Sequence, residues 1–234
     1  ELAELRLRRL AARHPATGAL AGRLAVGGRH AVALAAGGEL CQWGGADFGQ
    51  RDGLPAEPPP GEGWVVVAAG NCHTVALASG GSLHQWGGSD VGQRDGLPRH
   101  PPLGERWVAV AAGAHHAVAL ASGGSLRQWG NGEGGQRQGL PHAPPPGEHW
   151  VSVAAGGCHT VALASDGSLW QWGGGDNGQR DGLPESPPPG ERWVAVATGA
   201  FHTVALADGG YRCQWGRVED GHREGLPEAP PRGE

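Results

Sequence analysis

Five histidines recur at one position of the sequence, and they are the first candidates for chemistry because neutral imidazole is a common metal ligand. They are His30, His73, His116, His159 and His202, each 43 residues after the one before. If each lies in its own stacked β-sheet, neighbouring histidines are about 10 Å apart, whereas zinc ligands all lie about 2 Å from one ion. We therefore predict no metal site and a structural role, with each imidazole hydrogen-bonded to backbone between strands.

The four cysteines fall into two equivalent pairs, Cys41 with Cys213 and Cys72 with Cys158. Neither pair has the Cys-x-x-Cys spacing of a metal or redox motif. The spacing between sheets also exceeds the Cα separation of about 7 Å that a disulfide tolerates. Free thiols are therefore expected, which is consistent with a reducing compartment, cytoplasm or organelle.

Each repeat also carries an acidic residue four positions before an arginine. The pairs are Asp47 and Arg51, Asp90 and Arg94, Glu133 and Arg137, Asp176 and Arg180, and Glu219 and Arg223. Recurrence in every repeat favours a local ion pair that holds a loop, worth ~0–1 kcal/mol when exposed, over five copies of a catalytic pair. The chain has no nucleophile elbow, phosphate-binding loop, dinucleotide fingerprint or zinc-protease motif. We predict no catalytic residue, no enzyme activity and no cofactor.

All these residues are positioned by a 43-residue repeat. The same step separates five tryptophans, each preceded by glutamine and followed by glycine: Trp43, Trp86, Trp129, Trp172 and Trp215. No insertion interrupts the series, so the spacing predicts five copies of one structural unit. The units span approximately residues 21–60, 61–103, 104–146, 147–189 and 190–232.

Each unit contains three short apolar runs of strand length, which in the third unit are residues 107–112, 116–121 and 125–129. Bulky and small residues alternate within them, the period-two pattern of a β-strand. A Ser-Gly-Gly or Ser-Asp-Gly segment predicts a hairpin between the second and third runs, and the proline-rich link must lie outside the sheet. Five such units predict an all-β propeller of five antiparallel blades, with the tryptophans and alanines packed between blades.

The ends of the chain leave two alternatives open. Residues 1–20 place Leu2, Leu5 and Leu10 among charged residues, which predicts a short helix. This helix could cap the first blade or contact an upstream domain or partner. Residues 21–234 form the propeller, either a closed five-bladed ring or part of a longer array. Closure is favoured, because an open array exposes two apolar sheet faces.

The unit at residues 153–179, Val-Ala-Ala-Gly-x-x-His-Thr-Val-Ala-Leu-x-x-x-Gly-x-Leu-x-Gln-Trp-Gly-x-x-x-x-Gly-Gln, resembles the repeat of the regulator of chromosome condensation family. The resemblance covers about residues 21–234 and implies propeller blades. Members that catalyse nucleotide exchange on a GTPase do so through an inserted element, and the equal length of the five units here implies that this activity is absent. Members that bind another protein through one propeller face imply a binding function.

The charge and the apolar content of the sequence indicate which kinds of partner the protein is expected to bind. The net charge is −5, and acidic residues and arginines are interspersed, so no nucleic-acid-binding surface is predicted. No apolar run is long enough to span a membrane, although peripheral association with a membrane complex is compatible with the sequence. We predict a protein-binding scaffold, such as an accessory subunit of a larger assembly. The alternatives are a regulatory domain in a GTPase or ubiquitin pathway and a carbohydrate-binding propeller.

Partner specificity is expected at positions that differ between units, because the repeat itself does not require them. One set precedes the recurring histidine, and the other precedes the recurring Gly-Gln. Both lie in loops or at strand ends, where propellers usually bind. The predicted partner-binding residues are Phe48, Val91, Asn177, Cys72, His115 and Phe201.

Overall fold

The computed structural model describes residues 23–217, and within this range the chain is built from fifteen β-strands. They are β1 (Leu24–Val26), β2 (His30–Leu34), β3 (Leu40–Gly44), β4 (Trp64–Ala69), β5 (His73–Ala78), β6 (Leu83–Gly87), β7 (Trp107–Ala112), β8 (His116–Ala121), β9 (Leu126–Gly130), β10 (Trp150–Ala155), β11 (His159–Ala164), β12 (Leu169–Gly173), β13 (Trp193–Thr198), β14 (His202–Ala207) and β15 (Arg212–Gly216). Consecutive strands form five separate three-stranded sheets, here called blades 1 to 5. All pairings are antiparallel, as the alternating pattern predicted.

The hairpin between the second and third strands of each blade has the geometry that its glycines predict. In blade 3 the Ala121 N–H donates to the carbonyl of Ser125 at 2.9 Å, and Gly124 between them has a φ of 92°. That left-handed conformation favours glycine, because a Cβ atom would be strained there.

The hydrophobic core lies in layers between neighbouring blades. In the layer between blades 2 and 3, Val75 and Leu77 of β5 meet Trp107, Val110 and Trp129. The alternating alanines of β8 belong to the same layer and let the two sheets approach closely. We call the side of a blade that packs on the preceding blade its leading face, and the opposite side its trailing face. Large residues on the trailing face therefore meet alanines and tryptophans on the next leading face.

A register shift explains how the first strand contributes two large residues to one face. Trp64 and Val67 are three residues apart, so a regular strand would point them to opposite sides. The pairing of β4 with β5 shifts between Trp64 and Val66, and both side chains are buried in the layer against blade 1. The corresponding shift recurs in blades 3, 4 and 5.

The five blades surround a common axis, which is the arrangement of a propeller. The turns between the first and second strands of all five blades line one central cavity of about 280 Å³. Backbone hydrogen bonds join these turns from blade to blade, as from Ala114 N–H to the Gly156 carbonyl at 3.0 Å. A Cβ atom at Gly113 would lie 2.4 Å from that carbonyl oxygen, so glycine is required for this close approach. The predicted fold class, an all-β propeller with five blades, is confirmed.

The closure expected between blades 5 and 1 is not observed among residues 23–217. Backbone hydrogen bonds join the central turns of blades 1–2, 2–3, 3–4 and 4–5, and the described residues include no equivalent bond from blade 5 to blade 1. Trp43 on the leading face of blade 1 is 49% exposed, and Leu206 on the trailing face of blade 5 is 37% exposed.

Two sequence predictions fall on residues that the structure does not describe. The helix predicted for residues 1–20 lies outside the described range, as does the end of the predicted propeller domain at residues 218–234. No helix within residues 23–217 is long and apolar enough to cross a membrane.

Candidate functional site

The two sets of variable positions lie on the same side of the propeller. The first strand of each blade ends at the turn before the recurring histidine, and the third strand returns to that end before the Gly-Gln loop. Hydrogen bonds join the two segments, as from Gly88 N–H to the Cys72 carbonyl at 2.7 Å. We call this side, formed by the turns before the histidines and the loops before Gly-Gln, the loop face.

Buried glutamines shape the loops of this face. The Gln50 side chain is fully buried, and its Oε1 accepts a hydrogen bond from Phe48 N–H at 2.9 Å. Gln42 Nε2 donates to the Gln50 carbonyl at 2.7 Å and ties the loop to β3. Val91 with Gln93 and Asn177 with Gln179 repeat the first bond. The recurring Gly-Gln thus fixes the direction in which the variable residue before it points.

The ion pairs expected in these loops are not formed in the four repeats whose acid and arginine the structure describes. Of the five acid–arginine pairs, Glu219 and Arg223 lie outside the described residues, and none of the other four makes a salt bridge. The Arg180 guanidinium lies beside Gly175 instead of reaching Asp176. For these four pairs the prediction was wrong, because the buried glutamine supplies hydrogen bonds that hold the loop without an ion pair.

Three of the recurring histidines bond to a threonine side chain of the next blade, and one of them, His30, also has the backbone hydrogen bond that was expected, with Asn71. The Nε2 atom of His30 lies 2.8 Å from Thr74 Oγ1 in the next blade. His116 with Thr160 at 2.9 Å and His159 with Thr203 at 3.0 Å repeat the contact. Desolvation by burial lowers the pKa of His73 and of His159 to about 4 and that of His116 to about 3. These imidazoles are therefore neutral at physiological pH.

The hydrogen bond is missing between blades 2 and 3, because Ala117 of blade 3 stands where blades 2, 4 and 5 carry threonine. The Nε2 atom of His73 is buried without a hydrogen-bond partner. We expect Ala117→Thr to raise the free energy of unfolding by about 0.5–1.5 kcal/mol by supplying the missing hydroxyl. Chemical denaturation measures this change. Ala117→Val, which has the same shape without the hydroxyl, is the matched control, and an equal gain from valine would contradict the explanation.

The tryptophans of the Gln-Trp-Gly motif form a second set of bonds between blades. Trp129 Nε1 donates to Gln85 Oε1 of the preceding blade at 2.8 Å, and the same bond joins Trp172 to Gln128. Trp86 and Trp215 repeat it with Gln42 and Gln171. These four indoles are buried, whereas Trp43, which has no preceding blade among the described residues, is half exposed. The motif thus joins each of blades 2 to 5 to the blade before it.

The predicted partner-binding residues share the loop face but differ in accessibility. Phe48 and Val91 are 46% and 45% exposed, and Asn177 is also exposed. The guanidinium of Arg29 lies 4.4 Å from the centre of the Phe48 ring, so residues from both variable sets are in contact. Three exposed side chains of different chemistry are therefore held on one side of the fold.

The other three predicted residues are less accessible. Cys72 is buried, and burial raises the pKa of its thiol. His115 and Phe201 are half buried, with the Arg217 guanidinium 5.4 Å from the centre of the Phe201 ring. Cys72 is thus unable to present its side chain to a partner. All four cysteines are free thiols in this structure, including the exposed Cys41.

A hollow of about 460 Å³ opens on the loop face between the loops of blades 1 and 2. Phe48 lines it together with the carboxylates of Asp47, Asp52 and Asp90, and Arg94 also contributes. The site therefore combines an apolar ring with an excess of negative charge. No group of three or more histidine, cysteine or acidic side chains in the described part of the chain is arranged to hold a metal ion.

Sequence reasoning missed a second group of exposed aromatic residues. Trp170 and Tyr211 are about equally exposed, in blades 4 and 5. Each ring packs against the tryptophan that begins its blade, Trp150 and Trp193 respectively. Trp170 occupies the position before the Gln-Trp-Gly motif, where the five units carry Cys, His, Arg, Trp and Cys. That variability was the signal that could have identified the position.

Comparisons with known proteins agree with this architecture. Residues 150–179 match the family model of the regulator of chromosome condensation (RCC1) repeat. The matched segment holds the first two strands of blade 4, its Gln-Trp-Gly strand and the Gly-Gln loop, and the other units repeat that pattern every 43 residues. No curated protein sequence matches the chain significantly.

Solved structures of the same fold include three β-propellers of distant sequence. The ectodomain of the receptor kinase CR4 from Physcomitrella patens is 22% identical with a TM-score of 0.62, over 86% of this chain and 53% of that one. Human WBSCR16 is 18% identical with a TM-score of 0.66, over 82% and 61%. Prp20p from Saccharomyces cerevisiae is 22% identical with a TM-score of 0.50, over 82% and 71%. The chain thus spans between about half and two thirds of the first two structures, and the likeness establishes the fold.

Proposed function

Since the chain is a β-propeller of RCC1-type repeats, we propose that it is a non-catalytic platform that binds another protein through the loop face, as an accessory subunit or module of a larger assembly. The observation that carries the proposal is the placement of the variable side chains. Phe48, Val91 and Asn177 project from loops whose backbone is fixed by buried glutamines. A rigid framework that presents variable, exposed residues is suited to recognition.

The chemistry of the loop face indicates which partner surface it fits. Phe48 and Val91 offer apolar contact, and aromatic anchors beside a hollow carry much of the free energy of protein–protein binding. Asp47, Asp52 and Asp90 surround the same hollow. A matching partner would insert an apolar side chain with basic groups around it, since charge complementarity favours encounter and orientation.

A related fold supports the binding role. Prp20p, one of the similar propellers, has binding properties towards Gsp1p and histones. A propeller of this architecture can therefore serve as a protein-binding surface. We transfer only that class of function to this chain, and we propose neither of those partners for it.

If the proposal is right, the wild-type chain captures a partner protein that contacts Phe48 and Val91. We expect the double variant Phe48→Ser and Val91→Ser to bind a captured protein at least about 30-fold more weakly, as removal of a hot spot worth about 2 kcal/mol would do. The measurement is affinity capture from the native source by the wild-type chain, identification by mass spectrometry, and titration of the identified protein with both forms.

Leu103→Ser is the matched control, because Leu103 is fully exposed but lies in the link before β7, at the hairpin side of the blade. The control should bind the captured protein as the wild type does. Recovery of no protein above background, or equal binding by the double variant and the control, would contradict the proposal.

A further inference from the structure

We propose that Asn131 is a site of self-modification, at which the backbone nitrogen of Gly132 attacks the asparagine side chain and converts it to aspartate or isoaspartate. The inference goes beyond the proposed function, because the reaction needs only this chain and water. The chain has three asparagines, and Asn131 and Asn177 are each followed by glycine. Glycine has no Cβ atom to hinder the approach of its nitrogen to the preceding side chain.

The reaction is a cyclisation followed by hydrolysis. The Gly132 nitrogen loses its proton to solvent hydroxide and forms a bond to Cγ of Asn131, while the bond from Cγ to Nδ2 breaks. Nδ2 takes a proton from water and leaves as ammonia, and a succinimide ring remains. One water molecule then opens the ring by breaking either bond from its nitrogen to a carbonyl carbon. One water is consumed, one ammonia is released, and the chain gains one carboxylate, which is charged at neutral pH.

The hydrogen bonds of this loop favour the first step. Asn131 Oδ1 accepts a hydrogen bond from Glu133 N–H at 2.7 Å, so the side chain folds back along the backbone, towards the intervening Gly132 nitrogen. Negative charge develops on Oδ1 when Cγ is attacked, and the Glu133 N–H is already in place to stabilise it. The Gly132 N–H makes no hydrogen bond to any residue within 23–217, so it is free to lose its proton.

A guanidinium lies beside the reacting nitrogen. A Cβ atom on Gly132 would be 3.0 Å from Nε and from Nη2 of Arg137, so this cation lies against the glycine. A nearby positive charge favours the anionic form of a group, which here is the deprotonated Gly132 nitrogen. Arg137 is exposed, and it forms no salt bridge with the residues that the structure describes. Its positive charge therefore acts on the glycine without being paired to a carboxylate.

Asn177 and Gly178 are the same dipeptide in a different setting. The Gly178 N–H donates to the Gly175 carbonyl at 2.9 Å, which disfavours loss of its proton. A Cβ atom on Gly178 would lie 3.2 Å from Oδ2 of Asp181, and this negative charge disfavours an anionic nitrogen. The exposed Asn177 side chain makes no hydrogen bond to the described part of the chain. This site thus lacks each feature that favours the reaction at Asn131.

The modification would act on the loop face, because the Asn131 amide holds the loop of blade 2. Its Nδ2 donates to the carbonyl of Val91 at 2.6 Å, across the gap between two blades. Blades 2 and 4 carry Gly88 and Gly174 at the equivalent position, where a Cβ atom would lie 2.3 or 2.4 Å from the carbonyl of the preceding loop. Asn131 thus replaces a close approach of two backbones by a hydrogen bond. A carboxylate has no proton to donate and repels the carbonyl, so the product releases the loop that carries Val91.

The test is the rate of conversion at the two asparagines of the full chain. The chain is incubated at physiological temperature and mildly alkaline pH, and its peptides are analysed by mass spectrometry with fragmentation that distinguishes isoaspartate from aspartate. In the folded chain we expect Asn131 to convert at least about 10-fold faster than Asn177, because a placed donor stabilises the developing charge. In denaturant the two sites should convert at similar rates, since only the structure distinguishes them.

Two variants test the contacts, and circular dichroism checks that both keep the fold. Arg137→Gln removes the guanidinium and should slow conversion at Asn131 by about 3-fold or more, with no change at Asn177. Gly132→Ala places a methyl group beside the attacking nitrogen and should slow it at least about 10-fold. Gly132 is not among the glycines with a left-handed φ, so alanine is compatible with its backbone.

Amide hydrogen exchange tests the consequence for the loop. Asn131→Asp reproduces one product, and the amides of residues 89–93 should exchange at least about 10-fold faster than in the wild type. Asn177→Asp adds the same charge at the other site and should leave that loop unchanged. These measurements involve no binding partner, so their outcome is independent of the proposed function. Conversion at Asn131 no faster than at Asn177, an unchanged rate in Arg137→Gln, or unchanged exchange in Asn131→Asp would overturn the inference.

Discussion

Replacing Trp129 by alanine should lower the free energy of unfolding by about 3–5 kcal/mol. The indole is 1% exposed, packs in the layer between blades 2 and 3, and donates a hydrogen bond to Gln85. Its removal would leave a cavity between two sheets and a buried glutamine oxygen without its donor, and both effects destabilise. Chemical denaturation followed by circular dichroism measures the loss.

Trp43→Ala is the matched control, because it makes the same change at the same position of the repeat. Trp43 is half exposed and has no glutamine acceptor among residues 23–217, so we expect a loss of about 1 kcal/mol or less, as for most surface substitutions. Equal losses at the two positions would show that Trp43 is covered in solution and would contradict the exposed end of blade 1.

The fold was predictable because the same 43-residue pattern of apolar runs, turns and tryptophans occurs five times in the sequence. A single unit with alternating bulky and small residues could describe many β-structures. The constant step of the tryptophans from Trp43 to Trp215 excludes most of them, since only stacked copies of one sheet repeat every contact at a fixed spacing. The alanines of β8, small enough to lie against another sheet, indicated the face-to-face packing that the structure shows.

Contacts between repeats were harder to predict than contacts within one. Three of the recurring histidines, His30, His116 and His159, bond a threonine 44 positions further along the chain, a pairing that depends on how two blades are offset. Periodicity gives the spacing of equivalent residues but not that offset. For the same reason the loop acids and arginines were predicted to pair by proximity in sequence, whereas Gln50 and its equivalents hold the loops.

The sequence was sufficient to predict which loops form the candidate site, but not which of their side chains are exposed to solvent. Variation between units identified the loops of one face, and Phe48, Val91 and Asn177 are exposed there. Cys72 stands in an equally variable position but is buried, with its Cβ atom close to Gly88. Variation shows that the repeat does not require a given side chain. Only the packing of the neighbouring loop decides whether that side chain reaches solvent.

The buried histidines make stability depend on pH. His73, His116 and His159 are fully buried, and burial lowers the pKa of each to about 3 or 4 from an ordinary value of 6.5. Below pH 6.5 the unfolded chain takes up a proton at each position, whereas the folded chain does not until the pH reaches the lowered pKa. Each histidine therefore stabilises the fold fully above pH 6.5, and this contribution is lost as the pH falls towards 4.

Three such groups together reduce the free energy of unfolding by up to about 4 kcal/mol per pH unit between pH 6.5 and 4. Because domains of this kind are stable by about 5–15 kcal/mol, we expect acid unfolding within that window. Denaturant titrations at a series of pH values give the slope, which equals the difference in bound protons between the two states.

His116→Gln provides the test of this assignment, because glutamine does not titrate and its side-chain nitrogen can still contact Thr160. The variant should be less stable at pH 7, and its loss of stability from pH 6.5 to 4 should be smaller by about 1.4 kcal/mol per pH unit, which corresponds to one proton. An unchanged slope, or a wild-type stability that stays constant down to pH 5, would show that these imidazoles are not held neutral between the blades.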